Sequence, residues 1–434
     1  MIEITGKHTT AKIMIDNVDE ATLQQVYSMI NHPAFTNPII IQCDTHMGKG
    51  SVIGFTMKLT DKTIPNVIGV DIGCSIQSVN IAELKIPLDE LDKMIRAKVM
   101  FGARVQQKSF NFERNFNWKE FNKKALVFHH AYQQYFNTKV RFEEYNYEWL
   151  KEKTKMIGID QNRFAKSIGT VGGGNHFCEV SNSVTSGKWV TVHTGSRNFG
   201  KRICDYWQYK AKQAFKTNYI DKRNLDVENI KLNFSANQIE EEIKKLPQFK
   251  FSEDQFWLEG LDAYGYFCDM FFAQQYADLN RSTILDIIIK DILKTDVIES
   301  VTSVHNYIDF DDFIIRKGAI RSYENEKLVI PFNMRDGILI CTGKSNPDFN
   351  FSGPHGAGRV LSRSKAKEVL KLDEFVETMS GIFSTSVNAS TLDEAPNAYK
   401  DCKVIENAIK DTAEVVDRLI PILNLKDSTG QNID

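Results

Sequence analysis

Apolar residues along this chain follow two rhythms. Short runs rich in Val and Ile stand at Pro38 to Cys43, Asn66 to Val70, Lys188 to His193, Ser300 to His305 and Gly337 to Cys341, and each is the length of a buried strand. Elsewhere apolar positions recur every three or four residues, over Asp89 to Lys98, Trp118 to Tyr135 and Leu261 to Leu293. That spacing lays one apolar face along a helix, and the last of the three is long enough to require a break or kink. Val404, Ile405, Ala408, Ile409, Ala413, Val415, Val416 and Leu419 repeat the pattern and predict a helix over Lys403 to Leu419. The fold class predicted is mixed α+β, a β-sheet core surrounded by helices.

Two stretches, 106–165, which includes the Trp118 to Tyr135 helix, and 215–255, are predicted as peripheral helical segments. The first contains the Asn- and Phe-rich run Phe110 to Tyr147, the second the charged run Asn229 to Lys245. Aromatic side chains in the first could stack nucleic-acid bases, but packing helices onto the core is the commoner use and the one expected.

The apolar runs matter because several end on a residue that can hold a metal. Val70-Asp71-Ile72-Gly73-Cys74, Asn175-His176, Val192-His193 and Val304-His305 place Asp, Cys and three His at or near such handovers. This mixed hard and soft donor set suits manganese, zinc, cobalt or iron better than calcium or magnesium. A fourth histidine, His355, lies in Pro354-His355-Gly356-Ala357-Gly358-Arg359. The glycines there let the backbone approach a ligand closely, and an arginine offers a planar fork to phosphate oxygens. The chain has only nine histidines. Any one of them would ordinarily be a satisfied core residue, and it is the set that points to a site.

In order along the chain these motifs resemble those of the RtcB-type RNA ligases. The resemblance is carried by Asp44-Thr45-His46-Met47-Gly48-Lys49-Gly50, Asp71-Ile72-Gly73-Cys74, Gly172-Gly173-Gly174-Asn175-His176-Phe177-Cys178-Glu179, His193-Thr194-Gly195-Ser196-Arg197, His305-Asn306, Arg316-Lys317-Gly318-Ala319, His355 to Arg359 and Asp393 to Lys400. It implies one large catalytic domain over 1–434, with a metal centre in the sheet core. It also implies a ligase that uses GTP and two manganese ions to join an RNA 3′-phosphate or 2′,3′-cyclic phosphate to a 5′-hydroxyl end, in RNA repair or tRNA splicing. An archease-like activator is the further partner it suggests.

By the same resemblance His355 is the residue guanylylated, and Asp44 would orient its ring. Cys74 would bridge two ions, with His193 and His305 on one and Asp71 and His176 on the other. Asn175, Phe177, Glu179, Arg197, Lys317, Gly356, Ala357, Gly358, Arg359, Tyr399 and Lys426 would contact the nucleotide or RNA phosphates, Glu179 by accepting from guanine N1 and N2. Two departures stand out. Asn333-Met334-Arg335-Asp336-Gly337 replaces a Gly-Ser-Met-Gly-Thr stretch, and Lys426 is followed by Asp427 and a polar tail ending at Asp434 where relatives stop at Lys-Gly. Two other classes fit the same residues: a two-metal phosphodiesterase or nuclease, separated by whether GTP labels the protein, and a non-catalytic RNA-end binding module.

Charge does not announce a nucleic-acid binder, since 54 Lys and Arg face 56 Asp and Glu for a net charge of −2. RNA contact would need a local patch, for which Lys49, Arg104, Lys108, Lys201, Arg202, Lys344, Arg363 and Lys365 are the candidates. Seven scattered cysteines without a CxxC pair predict a reduced, cytoplasmic protein. The amino terminus lacks a signal pattern and no apolar run approaches bilayer length, so no membrane attachment is expected.

Overall fold

The computed structural model describes residues 1–185, 187–246 and 252–429. Its centre is an antiparallel sheet of seven strands: β5 (Ser75–Ile81), β8 (Phe177–Ser183), β9 (Lys188–Thr194), β10 (Val297–Val304), β14 (Lys327–Pro331), β15 (Ile338–Gly343) and β17 (Ala413–Leu425), in the order β10-β5-β9-β8-β17-β15-β14. Strands twist, and a long twisted sheet tends to curl on itself. Here the edge strands β10 and β14 come close enough for the Val329 amide to donate to Ser303 Oγ at 2.8 Å.

Strand alternation then divides the side chains between two sides. Val79, Cys178, Val180, Val190, Val192, Leu423 and Leu425 lie on one face and pack against helix Leu88–Lys98 and the end of a long helix. Ile76, Phe177, Trp189, Val301, Val329, Ile338, Ile340 and Leu419 fill the other, inside the curl.

A six-stranded sheet lies beside it: β1 (Ile2–Thr5), β2 (Thr10–Ile13), β3 (Ile39–His46), β4 (Ile53–Lys58), β11 (Asn306–Asp309) and β12 (Ile314–Lys317), ordered β1-β2-β3-β4-β12-β11. Two short pairs complete the strands, β6 (Met100–Phe101) with β7 (Thr170–Gly172) and β13 (Ala319–Arg321) with β16 (Ser352–Pro354). The six-stranded sheet shares the largest apolar cluster with helix Gly260–Asp286, which carries buried residues all around its circumference. Such a helix belongs in a core.

Most predicted elements are present. The long helix changes at Ile287 into a π-helical turn, Ile287–Leu293, within the run expected to break or kink. Phe112, Phe116, Phe121, Phe128, Tyr132 and Tyr145 are buried in the cluster shared with the long helix, so the 106–165 aromatics pack the core instead of facing bases. The charged 215–255 segment forms helices Lys222–Asn233 and Ala236–Lys245, neither of which buries a residue, and its residues 247–251 lie outside those described. So does the last part of the polar tail, 430–434.

Two expectations fail. The run Asn66 to Val70 is not a strand: Pro65 opens helix Pro65–Ile68, since its fixed φ suits a first helical position and the apolar run is too short to resist. The single helix expected over Lys403 to Leu419 is a short helix, Cys402–Ala408, and a 3-10 turn, Ile409–Asp411, followed by β17. The β-branched Val415 and Val416 suit a strand, and pairing with both β15 and β8 outweighs the helical spacing. Among the described residues no helix is long and apolar enough to cross a membrane.

Candidate active site

Antiparallel order explains how five distant residues meet. Cys74 immediately precedes β5 and His176 immediately precedes β8, while His193 is next to last in β9 and His305 directly follows β10. With β10, β5, β9 and β8 adjacent and alternating in direction, two starts and two ends fall on the same rim of the sheet. Asp71 reaches that rim from the turn after helix Pro65–Ile68, where the Ser196 amide donates to its Oδ1 at 3.0 Å. Gly195 must be glycine for this approach, because a Cβ there would collide with the Asp71 carboxylate.

The side chains converge through their tips. Cys74 Sγ is 3.4 Å from His176 Nε2 and 3.3 Å from His193 Nε2; His193 Nε2 is 3.3 Å from His305 Nε2, and His176 Nε2 is 3.0 Å from Asp71 Oδ2. Cys74, His176, His193 and His305 are buried. Burial, with the Asp71 charge added, pushes the Cys74 thiol well up, and burial with neighbouring histidines pushes His193 and His305 well down. Burial alone would raise the Asp71 carboxyl, but its hydrogen bond and charge interaction with His176 bring it below its usual range.

His193 Nδ1 lies 3.2 Å from the Asn175 carbonyl, which can only accept, so its Nε2 is bare. His176 Nδ1 and His305 Nδ1 are buried without a hydrogen-bond partner among the described residues. A thiol, a carboxylate and three imidazoles aimed at one another with no cation between them form a poor polar core and a good cation site. A divalent ion would satisfy the converging lone pairs and favour the thiolate. The five residues therefore fit a metal centre.

Next to this cluster the His355 ring lies with its centroid 4.9 Å from that of His305. Its Nδ1 is 2.6 Å from Asp44 Oδ2, the oxygen that also accepts the backbone N–H groups of His355 and Gly356 at 3.1 and 3.3 Å. Asp44 lies on β3 and is wholly buried. A carboxylate only accepts, so in the neutral ring the favoured tautomer carries its proton on Nδ1 and leaves the lone pair on Nε2.

Gly358 secures this arrangement. Its φ is +72°, and a Cβ would collide with the Asp44 carbonyl. Gly358→Ala is expected to lower unfolding free energy by about 2 kcal/mol or more, the sum of left-handed strain and a backbone clash, read from the urea midpoint. An unchanged midpoint would show that the loop yields freely.

The cluster and His355 share a cavity of about 280 Å³, which is also lined by Asn175, Phe177, Glu179, Gly356, Ala357, Gly358, Arg359, Tyr399 and Lys426. Lys426 extends over the Phe177 ring and pairs with Glu394 at 2.9 Å, so a polar continuation of the chain does not displace it. Burial alone would raise the Glu394 carboxyl, yet the cations of Lys426, Arg363 and Arg359 outweigh it and hold that group low. Arg359 does not present a free fork. It donates to Leu361 O at 2.9 Å, to Tyr399 Oη at 3.1 Å and to the Asp393 carbonyl. Glu179 accepts from Ser181 Oγ at 2.8 Å and from Asn424 Nδ2 at 2.7 Å, and burial pushes its carboxyl up to about 7 despite both bonds.

Two of the basic residues do not line the main cavity. Lys317 turns away from the cavity, donating to the carbonyls of Lys49, Ser51 and Asn66, with burial pulling its ammonium down to about 7. It ties the loop at Lys49 and Ser51 to helix Pro65–Ile68. Arg197 lines an adjoining cleft with Asp71, His176, Lys201 and Arg363. Asn175 is exposed and lines both cavities.

Of the eight basic patch candidates only Lys201 and Arg363 line these cavities. Asn333, Met334 and Gly337 of the divergent stretch line the main one, while Arg335 and Asp336 pair with each other at 2.6 Å. Sequence reading missed Asn424 and Glu394 in the wall. It also missed Asn280, buried in the long helix, which takes the Gly169 and Thr170 amides on its Oδ1 at 2.8 and 3.0 Å behind the site.

The family model described as tRNA-splicing ligase RtcB matches residues 25–427. The RNA-splicing ligase RtcB of Escherichia coli (strain K12) is 25% identical over 94% of this chain and 95% of its own. The tRNA-splicing ligase RtcB of Nanoarchaeum equitans is 23% identical over 96% and 94%, and that of Aeropyrum pernix 22% identical over 83% and 82%.

Proposed function

The chain belongs to the RtcB family, and from that premise we propose that it is an RNA ligase joining 3′-phosphate or 2′,3′-cyclic phosphate ends to 5′-hydroxyl ends, with GTP and two manganese ions. The observation that supports this most is the His355–Asp44 pair, a histidine with its tautomer fixed, on the wall of the cavity that holds the donor cluster. In a site that only hydrolysed phosphodiesters the same pair would serve as a general acid or base and would take no label from GTP, which is what separates the two readings.

His355 Nε2 attacks the α-phosphorus of GTP: a P–N bond forms, the P–O bond to the β-phosphate breaks, and pyrophosphate leaves. Asp44 keeps the proton on Nδ1 and stabilises the positive charge that the ring acquires. A 2′,3′-cyclic phosphate is first opened by water to a 3′-phosphate and a free 2′-hydroxyl. The 3′-phosphate oxygen then takes the guanylyl group as the P–N bond to His355 breaks, and the 5′-hydroxyl oxygen attacks the activated 3′-phosphorus, losing its proton to solvent and releasing GMP. Ions held by Asp71, Cys74, His176, His193 and His305 would supply the positive charge that lets these anions approach one another. Arg197, Lys201 and Arg363 beside the cluster would receive RNA phosphates, which requires few cations and suits a chain of net charge −2.

The decisive test incubates the protein with α-labelled GTP and manganese, follows the label through denaturing electrophoresis, and then offers oligonucleotide pairs that differ only in their end groups. Joining of 3′-phosphate to 5′-hydroxyl ends, with the 3′-phosphate retained in the joint, is expected. Joining of 3′-hydroxyl to 5′-phosphate ends, or cleavage without labelling, would overturn the reading.

Base choice carries its own pH signature. Glu179 must be ionised to accept from guanine N1 and N2, whereas its protonated form donates and suits the adenine N1 acceptor. With its carboxyl at about 7, preference for GTP over ATP in labelling should rise as pH climbs through about 7. Glu179→Gln should flatten that rise, and a ratio independent of pH in wild type would move base reading elsewhere.

A further inference from the structure

Asn424 is the cross-strand partner of Glu179, directly opposite it where β17 pairs with β8. Its neighbours Leu423 and Leu425 face the outer apolar cluster, so alternation turns Asn424 to the cavity side, where it forms part of the wall. A polar residue 1% exposed in a strand of this kind needs both ends of its amide satisfied. One end is: Nδ2 donates to Glu179 Oε2 at 2.7 Å. The other is not, since Asn424 Oδ1 is buried with no hydrogen-bond partner among the described residues. When Glu179 is ionised, the form that reads guanine, the amide cannot be turned over to share its oxygen with the carboxylate, because two acceptors would then face each other. Glu179 thus fixes Asn424 with a bare carbonyl oxygen beside its own carboxylate.

Glu179 and Asn424, joined by that bond, bring three acceptor oxygens to one part of the cavity wall, the two of the carboxylate and Oδ1 of the amide. Guanine presents three donor hydrogens on one edge, a single one on N1 and two on the 2-amino group. We infer that Asn424 is a specificity-determining residue of the nucleotide site, its Oδ1 accepting the second hydrogen of the guanine 2-amino group while Glu179 takes the other two donors. This rests on the reading of Glu179 as the guanine-binding carboxylate. It adds a second residue to the edge and makes the 2-amino group the feature selected, so hypoxanthine, which keeps N1–H and lacks that amino group, is the discriminating base.

The test uses the full-length, manganese-loaded protein. GMP and IMP affinities are measured by titration calorimetry, and GTP and ITP labelling is compared in parallel, for wild type and Asn424→Leu, a substitution of similar shape. Wild type should bind GMP more tightly than IMP. Asn424→Leu should lose roughly tenfold in GMP affinity, the size of one net hydrogen bond, with IMP affinity nearly unchanged, so that the gap narrows.

Asn424→Val, suited to a strand, is the second variant should Leu not fold. Equal loss for both nucleotides, no change in either, or a wild type that binds GMP no better than IMP would overturn the contact, the last without recourse to any variant. A wild type that labels with GTP but keeps its full GMP-to-IMP gap in the variants sinks this inference alone. One that binds neither nucleotide sinks the ligase reading and the contact with it.

Discussion

His355→Ala should abolish covalent labelling by GTP altogether, while Asp44→Asn should slow it by on the order of 10²–10⁴ without removing it. The difference follows from what each group does. His355 supplies the nitrogen that forms the bond, and its ring is the one fixed by a carboxylate; the other wall imidazole outside the donor cluster, His46, is held only through the Asp44 carbonyl, at 3.1 Å from its Nδ1. Asp44 acts on the reaction through that ring, as a positioning residue. Its Oδ2 gathers the Nδ1 proton and two backbone N–H groups, and an asparagine can retain those interactions in part.

If the asparagine amide turns its NH₂ to Nδ1, the proton moves to Nε2 and the nucleophile is lost from that fraction of molecules. A purely structural Asp44 would lower GMP binding and thermal stability together with labelling. The tautomer role predicts a fall in labelling rate with GMP affinity nearly intact. The wild-type adduct should be acid-labile and alkali-stable, as a phosphoramidate is. Labelling that survives in His355→Ala, or that maps to a lysine, would remove the basis of the mechanism.

The parts of this site that were legible in the sequence are those whose chemistry needs a particular local backbone. His355 lies among glycines because the loop must pass the Asp44 carbonyl, and Cys74, His176, His193 and His305 stand at strand ends because a sheet rim is where side chains can converge. What was hidden depends on pairing between distant segments. Asn424 acquires its place only when β17 pairs with β8, 245 residues away in sequence, and the helical spacing through Leu419 concealed that strand. The surroundings of Lys317 were hidden in the same way. This residue sits in a motif-like run, yet its ammonium is directed to three backbone carbonyls around Lys49, Ser51 and Asn66, a fact of tertiary packing that no local pattern encodes.

Cys74→Ala should strip more manganese from the protein than Asp71→Ala or His193→Ala. The donor cluster reads as two pairs, His176 with Asp71 at 3.0 Å and His193 with His305 at 3.3 Å, and Cys74 Sγ is the atom within 3.4 Å of a member of each. Removing Asp71 or His193 takes a donor from one pair, so such variants should keep about one ion of two after gel filtration. Removing the shared sulfur takes a donor from both, and metal content should fall below one per chain. Near-equal losses from all three variants, or full retention in Cys74→Ala, would count against a bridging thiolate.

Coupled sites can collapse as a unit, so each variant's melting curve must accompany its metal content. The metal-free fold gives an independent check. Burial and the Asp71 charge hold the Cys74 thiol protonated when no cation is present, so thiolate absorbance should be absent from the stripped wild type at neutral pH and appear on adding a divalent ion such as cadmium. In Cys74→Ala that signal should be missing, while His193→Ala should retain part of it.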